Sequence, residues 1–189
     1  MKFETSKNQR SSIRLKEFDY SQSGGYFVTI CTYKGECLLG NVINGEMRLS
    51  KSGDIVNKFW HKIAGHFPNV KTDVFVVMPN HTHGIIFITD ECRGGVSPPL
   101  RCHQGEETSP LQKRVLGQII AYFKYQTTKQ VNQILNTAGT SLWQRNYYEH
   151  VIRNEYDLRQ IREYMVNNPL KREMDSENPE NIKERVMGK

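Results

Sequence analysis

The stretch VVMPNHTHGIIFI, residues 76–88, decides the fold because it reads as a buried strand that carries two histidines in its middle. A β-strand sends residues i and i+2 to the same face, so His81 and His83 leave one side of a sheet together. Neutral imidazole is a common ligand of transition metals. The spacing therefore indicates a shared metal site, although one packed and one solvated histidine explains the pair alone equally well.

The segments around this strand predict a sheet that continues on both sides of it. YFVTICTYK, residues 26–34, is rich in β-branched and aromatic residues and predicts a first strand. Asn44-Gly45 is a strong hairpin signal between two further short strands. TDVFVVMP and HTHGIIFIT then predict a strand pair joined at Pro79-Asn80.

Helical periodicity marks three further segments. Ile55, Phe59, Ile63 and Phe67 recur every four residues and predict an amphipathic helix over the sheet. A second helix is predicted from Ser109, Pro110 and Gln112, with a buried stripe formed by Leu116, Ile120, Phe123 and Val131. A connector then leads to a third helix, which begins after the capping residue Asn154 and ends before Pro169. The apolar face of this helix is formed by Leu158, Ile161 and Met165. The order of elements predicts an α+β fold with helices packed on one face of the sheet.

Length and composition favour one globular domain over residues 1–172, with a flexible loop at about 90–112 and a polar tail at 173–189. Lys plus Arg outnumber Asp plus Glu by 26 to 20, a net charge of +6 that is compatible with a polyanionic partner. Because neither a signal peptide nor a membrane span is evident, we expect a cytoplasmic protein. The four cysteines lack zinc-knuckle spacing and are interpreted as reduced.

Tyr164 and Asn168 are four residues apart and share one face of the third helix, beside its apolar stripe. An amide oxygen could complete a coordination sphere begun by the two histidines, with a phenol one turn away. Each residue alone is explained as well by a helix anchor and a helix cap. Asn167 is an alternative to Asn168, because the residue before a proline tends to leave the helical region.

The blocks MPNHTHGIIFI, WQRNYYEHVIRNEYDLRQIREYMVNNPLK and FDYSQSGGYFVTICT together resemble the REP-associated tyrosine transposases of the HUH endonuclease superfamily. The likeness covers roughly residues 10–172. It implies a ferredoxin-like, RRM-like antiparallel sheet, with the histidines on a central strand and a tyrosine on a helix facing it. Thr82 departs from the family, which more often has an apolar residue between the histidines.

This resemblance implies that His81, His83 and Asn168 hold a divalent metal ion, Mg²⁺ or Mn²⁺, and that Tyr164 is the nucleophile. The implied reaction is metal-dependent cleavage and joining of single-stranded DNA through a 5′-phosphotyrosine link, without a nucleotide cofactor. The implied partner is a hairpin-forming DNA end, and no membrane is involved. Whether the protein acts as a monomer or a homodimer stays open.

Several other residues are candidates for an accessory or DNA-contacting role. His150 could assist the site or orient a connector by a hydrogen bond. Positive charge is concentrated around the third helix, at Arg145, Arg153, Arg159, Arg162, Lys171 and Arg172. This charge suits binding along a phosphate backbone, although a solvated mixed-charge helix is the simpler interpretation. Alternative candidates for the nucleophilic phenol are Tyr147, Tyr148 and Tyr156.

Two other functions compete with a nuclease. One is a noncatalytic, RRM-like binder of single strands that would stack bases on sheet aromatics such as Tyr26 and Phe27. The other is a domesticated hairpin-binding protein that serves as a repressor or scaffold. A two-histidine phosphoesterase fits less well, because no second histidine element of the required kind is found on another strand.

Overall fold

The computed structural model describes residues 23–89 and 115–170 of the 189-residue chain. The predicted loop at about 90–112, the helix start at 109–112, the tail at 173–189 and Lys171 all lie outside the described residues. No helix in the two described ranges is long and apolar enough to cross a membrane. The elements in these ranges are β1 (Gly24–Cys31), β2 (Gly40–Ile43), β3 (Glu46–Leu49), α1 (Lys51–His66), β4 (Val70–Val77), β5 (His81–Ile88), α2 (Val115–Leu135), β6 (Tyr148–Ile152) and α3 (Glu155–Asn167).

The main sheet has the strand order β4-β5-β1-β6, and each neighbouring pair is antiparallel. The path β1-α1-β4-β5-α2-β6 gives a ferredoxin-like arrangement, with the β2–β3 hairpin inserted before α1 and α3 added at the end. Asn44 and Gly45 have the positive φ values, 54° and 76°, that a tight hairpin turn requires. The predicted α+β fold class is confirmed, and the histidine strand is central as expected. The prediction that the helices pack on one face alone is wrong, because α3 packs on the face opposite α1 and α2.

The helices α1 and α2 cover one face of this sheet and form the larger core. Tyr26, Val28 and Ile30 of β1 are fully buried against them. Trp60 of α1 lies at the centre of that core, stacked on Phe75 at 4.3 Å between ring centroids. Its indole also occupies the space above Gly84, where a Cβ would collide with the ring.

The helix α3 covers the opposite face and buries a smaller cluster. Leu158 and Met165 of α3 pack with Ile85 of β5. The guanidinium of Arg162 donates from Nε and Nη2 to Asp73 Oδ2 of β4, at 2.8 and 2.6 Å. Because successive residues of β5 alternate between faces, this second helix layer lies over the face that carries the two histidines.

Two local predictions are wrong. The segment before α3, predicted as a connector, contains the edge strand β6 paired to β1. Its polar residues Glu149 and His150 hide the alternating pattern of a half-buried strand. The first strand ends at Cys31, before a short 3₁₀ turn at Tyr33–Gly35 in which Lys34 has a φ of 56°.

Gly84→Ala should lower the free energy of unfolding by about 1–3 kcal/mol, because the added methyl collides with the rigid, buried Trp60 indole. The matched control is Gly65→Ala in α1, where a Cβ meets nothing within 4 Å. That change should leave stability unchanged or raise it by up to about 1 kcal/mol. Chemical denaturation measures both values, and equal losses would contradict the packing of α1 on β5.

Candidate metal and tyrosine site

His81 and His83 lie on the central strand β5, with 0% and 3% of their surface exposed. Their neighbours Thr82 and Gly84 point to the opposite face, where Trp60 of α1 packs. Both imidazoles therefore point towards α3. The prediction that the two histidines share one face of the sheet is confirmed by this placement.

Each imidazole is oriented by a hydrogen bond at Nδ1. His81 Nδ1 lies 3.0 Å from Asn80 Oδ1, and His83 Nδ1 lies 2.8 Å from Thr29 Oγ1 of β1. Thr29 is the cross-strand partner of His83 in the β1–β5 ladder, so the register of the sheet supplies this contact. The two Nε2 atoms meet at 3.0 Å.

A neutral hydrogen-bond chain accounts for these three distances. His81 Nδ1–H donates to Asn80, His83 Nε2–H donates to His81 Nε2, and the Thr29 hydroxyl donates to His83 Nδ1. Burial, followed by repulsion from a charge on His81, holds the pKa of His83 well below its usual value. Moving the His83 proton to Nδ1 reverses the Thr29 bond and leaves two Nε2 lone pairs facing one point, as shared metal ligation requires.

The helix α3 brings Tyr164 to this point. Asn154 caps the helix, because its Oδ1 accepts from Asp157 N at 2.8 Å, as predicted. The Tyr164 ring lies 5.5 Å from the His83 ring and 6.3 Å from the Phe27 ring, in edge-on geometry. With 47% of its surface exposed, Tyr164 combines contact with a buried imidazole and access from solvent.

Asn168 is 2% exposed and has helical dihedral angles, φ −61° and ψ −42°. The expectation that it leaves the helical region before Pro169 is therefore wrong, and Asn168 stays one turn beyond Tyr164. Within the part of the chain that the structure describes, its Nδ2 is buried without a hydrogen-bond partner. The Nδ2 group is a hydrogen-bond donor and does not bind a cation, but rotation of the amide about its Cβ–Cγ bond would exchange it for Oδ1, which can be a metal ligand. Asn167 is more exposed.

The donor set fits a divalent metal ion. Two ligands about 2.0–2.1 Å from one ion and at right angles to each other are about 3 Å apart, which matches the separation of the two Nε2 atoms. The described ranges contain no group of three or more His, Cys, Asp or Glu side chains able to hold a metal. Within those ranges the buried Asn168 amide would be a candidate third ligand, with further positions open to water or substrate.

The accessory candidates are placed around α3. His150 Nε2 lies 3.0 Å from Asp157 Oδ2, and its hydrogen bond is the main cause that lowers the pKa of Asp157. This pair ties β6 to the first turn of α3. Arg162 is held by Asp73, whereas Arg145 and Arg153 are exposed. His150 and Arg162 therefore position α3, and their predicted DNA contacts stay predictions.

The three alternative candidates for the nucleophile, Tyr147, Tyr148 and Tyr156, lie at different places relative to the histidine pair. Tyr148 is the partner of Thr29 across the β1–β6 ladder, so it lies on the histidine face, one strand away from His83. Tyr147 packs against the larger core. Tyr156, 71% exposed, lies in the first turn of α3. Among these four tyrosines, a ring contact with a site histidine is found for Tyr164.

Sequence reasoning missed the two residues that orient the imidazoles. Asn80 directly precedes His81, and an amide at the entry of a histidine strand could have indicated a buried hydrogen bond. Thr29 gave no local signal, because its position opposite His83 depends on the register of two strands 54 residues apart. Asp73, which holds Arg162, was missed for the same reason.

Known proteins share either the fold or part of the sequence of this chain. The fold is shared with a solved REP-associated tyrosine transposase bound to a REP hairpin, at 18% identity and a TM-score of 0.51, over 86% of this chain and 74% of that one. A transposase-like protein of Deinococcus radiodurans is 15% identical over 82% of this chain and 97% of its own, but its TM-score of 0.44 supports no argument. No family model matches the sequence.

An uncharacterized protein of Haemophilus influenzae is 40% identical over 174 residues, which are 92% of this chain and 96% of that protein. At this identity and coverage, the chain belongs to the same protein family as the Haemophilus protein.

Thr29→Val should lower the free energy of unfolding by about 1–3 kcal/mol, because it leaves the buried His83 Nδ1 without its partner. Thr82→Val is the matched control on the other face of the sheet. The Thr82 hydroxyl is buried without a hydrogen-bond partner among the described residues, so its removal should raise stability by about 1 kcal/mol. Chemical denaturation separates the two variants, and similar effects of both would contradict the proposed orientation of His83.

Proposed function

We propose that this protein is a metal-dependent tyrosine nuclease and strand transferase of the REP-associated transposase type, acting on single-stranded DNA. The observation that carries the proposal is the meeting of His81 and His83 at their Nε2 atoms with the Tyr164 ring 5.5 Å away. A nucleophilic phenol beside a pair of metal-ligating imidazoles is the set of groups that phosphoryl transfer to tyrosine requires. The shared fold supports this assignment without proving it.

In this proposal His81, His83 and Asn168 hold the divalent ion. Imidazole suits Mn²⁺ better than Mg²⁺, which prefers oxygen ligands, so Mn²⁺ is the more suitable of the two ions. When bound, the ion polarises a non-bridging oxygen of the scissile phosphate and neutralises its charge. Thr29 and Asn80 keep the two imidazoles in the orientation that leaves both Nε2 atoms available.

Tyr164 performs the covalent step. Its phenol oxygen forms a bond to phosphorus while the bond from phosphorus to the 3′-oxygen breaks. The phenol proton passes to solvent, and the departing 3′-oxygen takes a proton from solvent. The products are a 5′-phosphotyrosine link and a strand with a free 3′-hydroxyl. Attack of a 3′-hydroxyl on that link returns the phenol and joins DNA, so no nucleotide cofactor is consumed. The 47% exposure of Tyr164 gives the strand access to it.

The proposed substrate is a DNA end that forms a hairpin next to a single strand. The solved protein with the same fold was bound to a REP hairpin, and we extend that ligand class to this chain. The net charge of +6 favours association with DNA.

A noncatalytic, RRM-like binder is less well supported. Such a binder needs exposed aromatic side chains on its sheet. Tyr26 is fully buried under the helices α1 and α2, and Phe27 lies on the face that α3 covers. A domesticated hairpin-binding protein differs from a nuclease in activity alone, so the experiment below decides between them.

Tyr164→Phe should reduce formation of a covalent DNA–protein adduct to below about one-thousandth of wild type, because it removes the nucleophilic oxygen and keeps the ring. The assay uses Mn²⁺ and hairpin-bearing oligonucleotides from the genomic flanks of the gene, labelled at the 3′ end and resolved on a denaturing gel. The tyrosine becomes linked to the 5′ phosphate of the fragment that carries the 3′ label, so the label moves onto the protein.

Tyr148→Phe and Tyr156→Phe are matched controls that should retain the adduct. If Tyr164→Phe forms the adduct and one of these variants does not, the nucleophile is assigned wrongly. If wild type binds the hairpin and never forms an adduct, the domesticated binding protein is the better description.

A further inference from the structure

A groove of about 410 Å³ lies between the second half of α2 and the segment 139–145 that follows it. Its floor is rigid: Leu142 and Trp143 are buried, and the Trp143 indole donates to Thr127 Oγ1 at 2.8 Å. Lys124 Nζ donates to the carbonyl oxygens of Gln144 and Asn146, both at 2.9 Å, and fixes the outer wall. The groove is thus preformed.

The lining of this groove has the chemistry of a single-strand binding surface. Tyr125 is 64% exposed on α2 and offers an aromatic face. The remaining lining carries hydroxyls, amides and two basic side chains and has no carboxylate; its polar members are Lys124, Thr128, Asn132, Thr140, Ser141, Gln144 and Arg145. Exposed aromatic faces with basic and neutral polar groups are what unpaired bases and phosphates require.

The part of the sequence that contains the groove residues has no acidic side chain over a long interval. No Asp or Glu occurs between Glu107 and Glu149, although the chain has 20 acidic residues in 189. The same interval contains Lys113, Arg114, Lys124, Lys129 and Arg145. Burial lowers the pKa of Lys124 to about 8, so its ammonium is still the main form at neutral pH. A surface without carboxylates does not repel a polyanion.

The groove wall is hydrogen-bonded to the end of β1. Gln144 N, in the groove wall, donates to the carbonyl oxygen of Cys31 at 2.9 Å. Cys31 is the cross-strand partner of His81. The groove wall therefore adjoins the end of the sheet where β5 begins, on the side that α2 covers, whereas the two imidazoles point towards α3 on the other side.

We propose that this groove binds single-stranded nucleic acid, with a base stacked on Tyr125 and the backbone phosphates beside Arg145. This inference adds a binding surface to the proposed function and rests on that function for the class of ligand, single-stranded nucleic acid. The binding itself needs neither metal nor cleavage.

The test measures binding in EDTA, by fluorescence anisotropy, to a fluorescein-labelled oligothymidylate of about 20 nucleotides at low salt. Tyr125→Ser removes the aromatic face and Tyr125→Phe keeps it. Ser141→Asp adds a carboxylate to the groove, and Ser141→Asn adds the same bulk without charge. Both positions are exposed, so all four variants should fold, which circular dichroism and thermal melting check.

Tyr125→Ser and Ser141→Asp should each weaken binding by about fivefold or more, and Tyr125→Phe and Ser141→Asn should bind like wild type. Absence of oligothymidylate binding by wild type, or equal binding by all five proteins, would overturn the proposal. It would also be overturned if Tyr125→Ser had no effect and a polyglutamate peptide competed as well as the oligonucleotide, since the groove would then bind polyanions by charge alone.

Binding in EDTA is independent of the adduct assay, so the two proposals can fail separately. Both proposals are supported if Tyr164→Phe loses the adduct and the Tyr125 and Ser141 variants change oligothymidylate binding as expected. An adduct formed by wild type together with no effect of the groove variants on binding rejects the groove and keeps the nuclease.

Discussion

Two buried imidazoles that meet at 3.0 Å are the constraint on which the rest of the structure depends. Polar rings on a central strand are costly to bury unless each nitrogen has a partner. The register of β1 against β5 supplies Thr29, the turn before β5 supplies Asn80, and α3 packs over the same face. The sheet order and the added third helix both contribute to this environment.

The placement of α3 links packing to chemistry. Leu158 and Met165 bury one side of the helix against Ile85, and the neighbouring side then presents Tyr164 to His83. Two contacts between α3 and the sheet region fix its position, from Asp73 to Arg162 and from His150 to Asp157. Arg162, which looks like a DNA contact in the sequence, is thus structural, because its guanidinium is already paired with Asp73.

Sequence patterns predicted much of this arrangement. The alternation in β5, the four-residue spacing in α1 and the Asn154 cap each depend on neighbours along the chain, which a sequence displays directly. The edge strand β6, the side of the sheet that α3 covers, and the pairing of Thr29 with His83 depend on register and packing between distant segments. Local patterns carry little information about such contacts, so these were missed.

In the proposed site, His81, His83 and Asn168 hold one divalent ion beside Tyr164. Pulsed electron paramagnetic resonance of Mn²⁺ added to the metal-free protein, with histidine labelled with ¹⁵N, measures this binding. We expect one bound ion per chain with couplings to two imidazole nitrogens, reduced to one in His83→Asn. Absence of bound Mn²⁺, or a bound ion without imidazole coupling, would show that the histidine pair does not hold the metal.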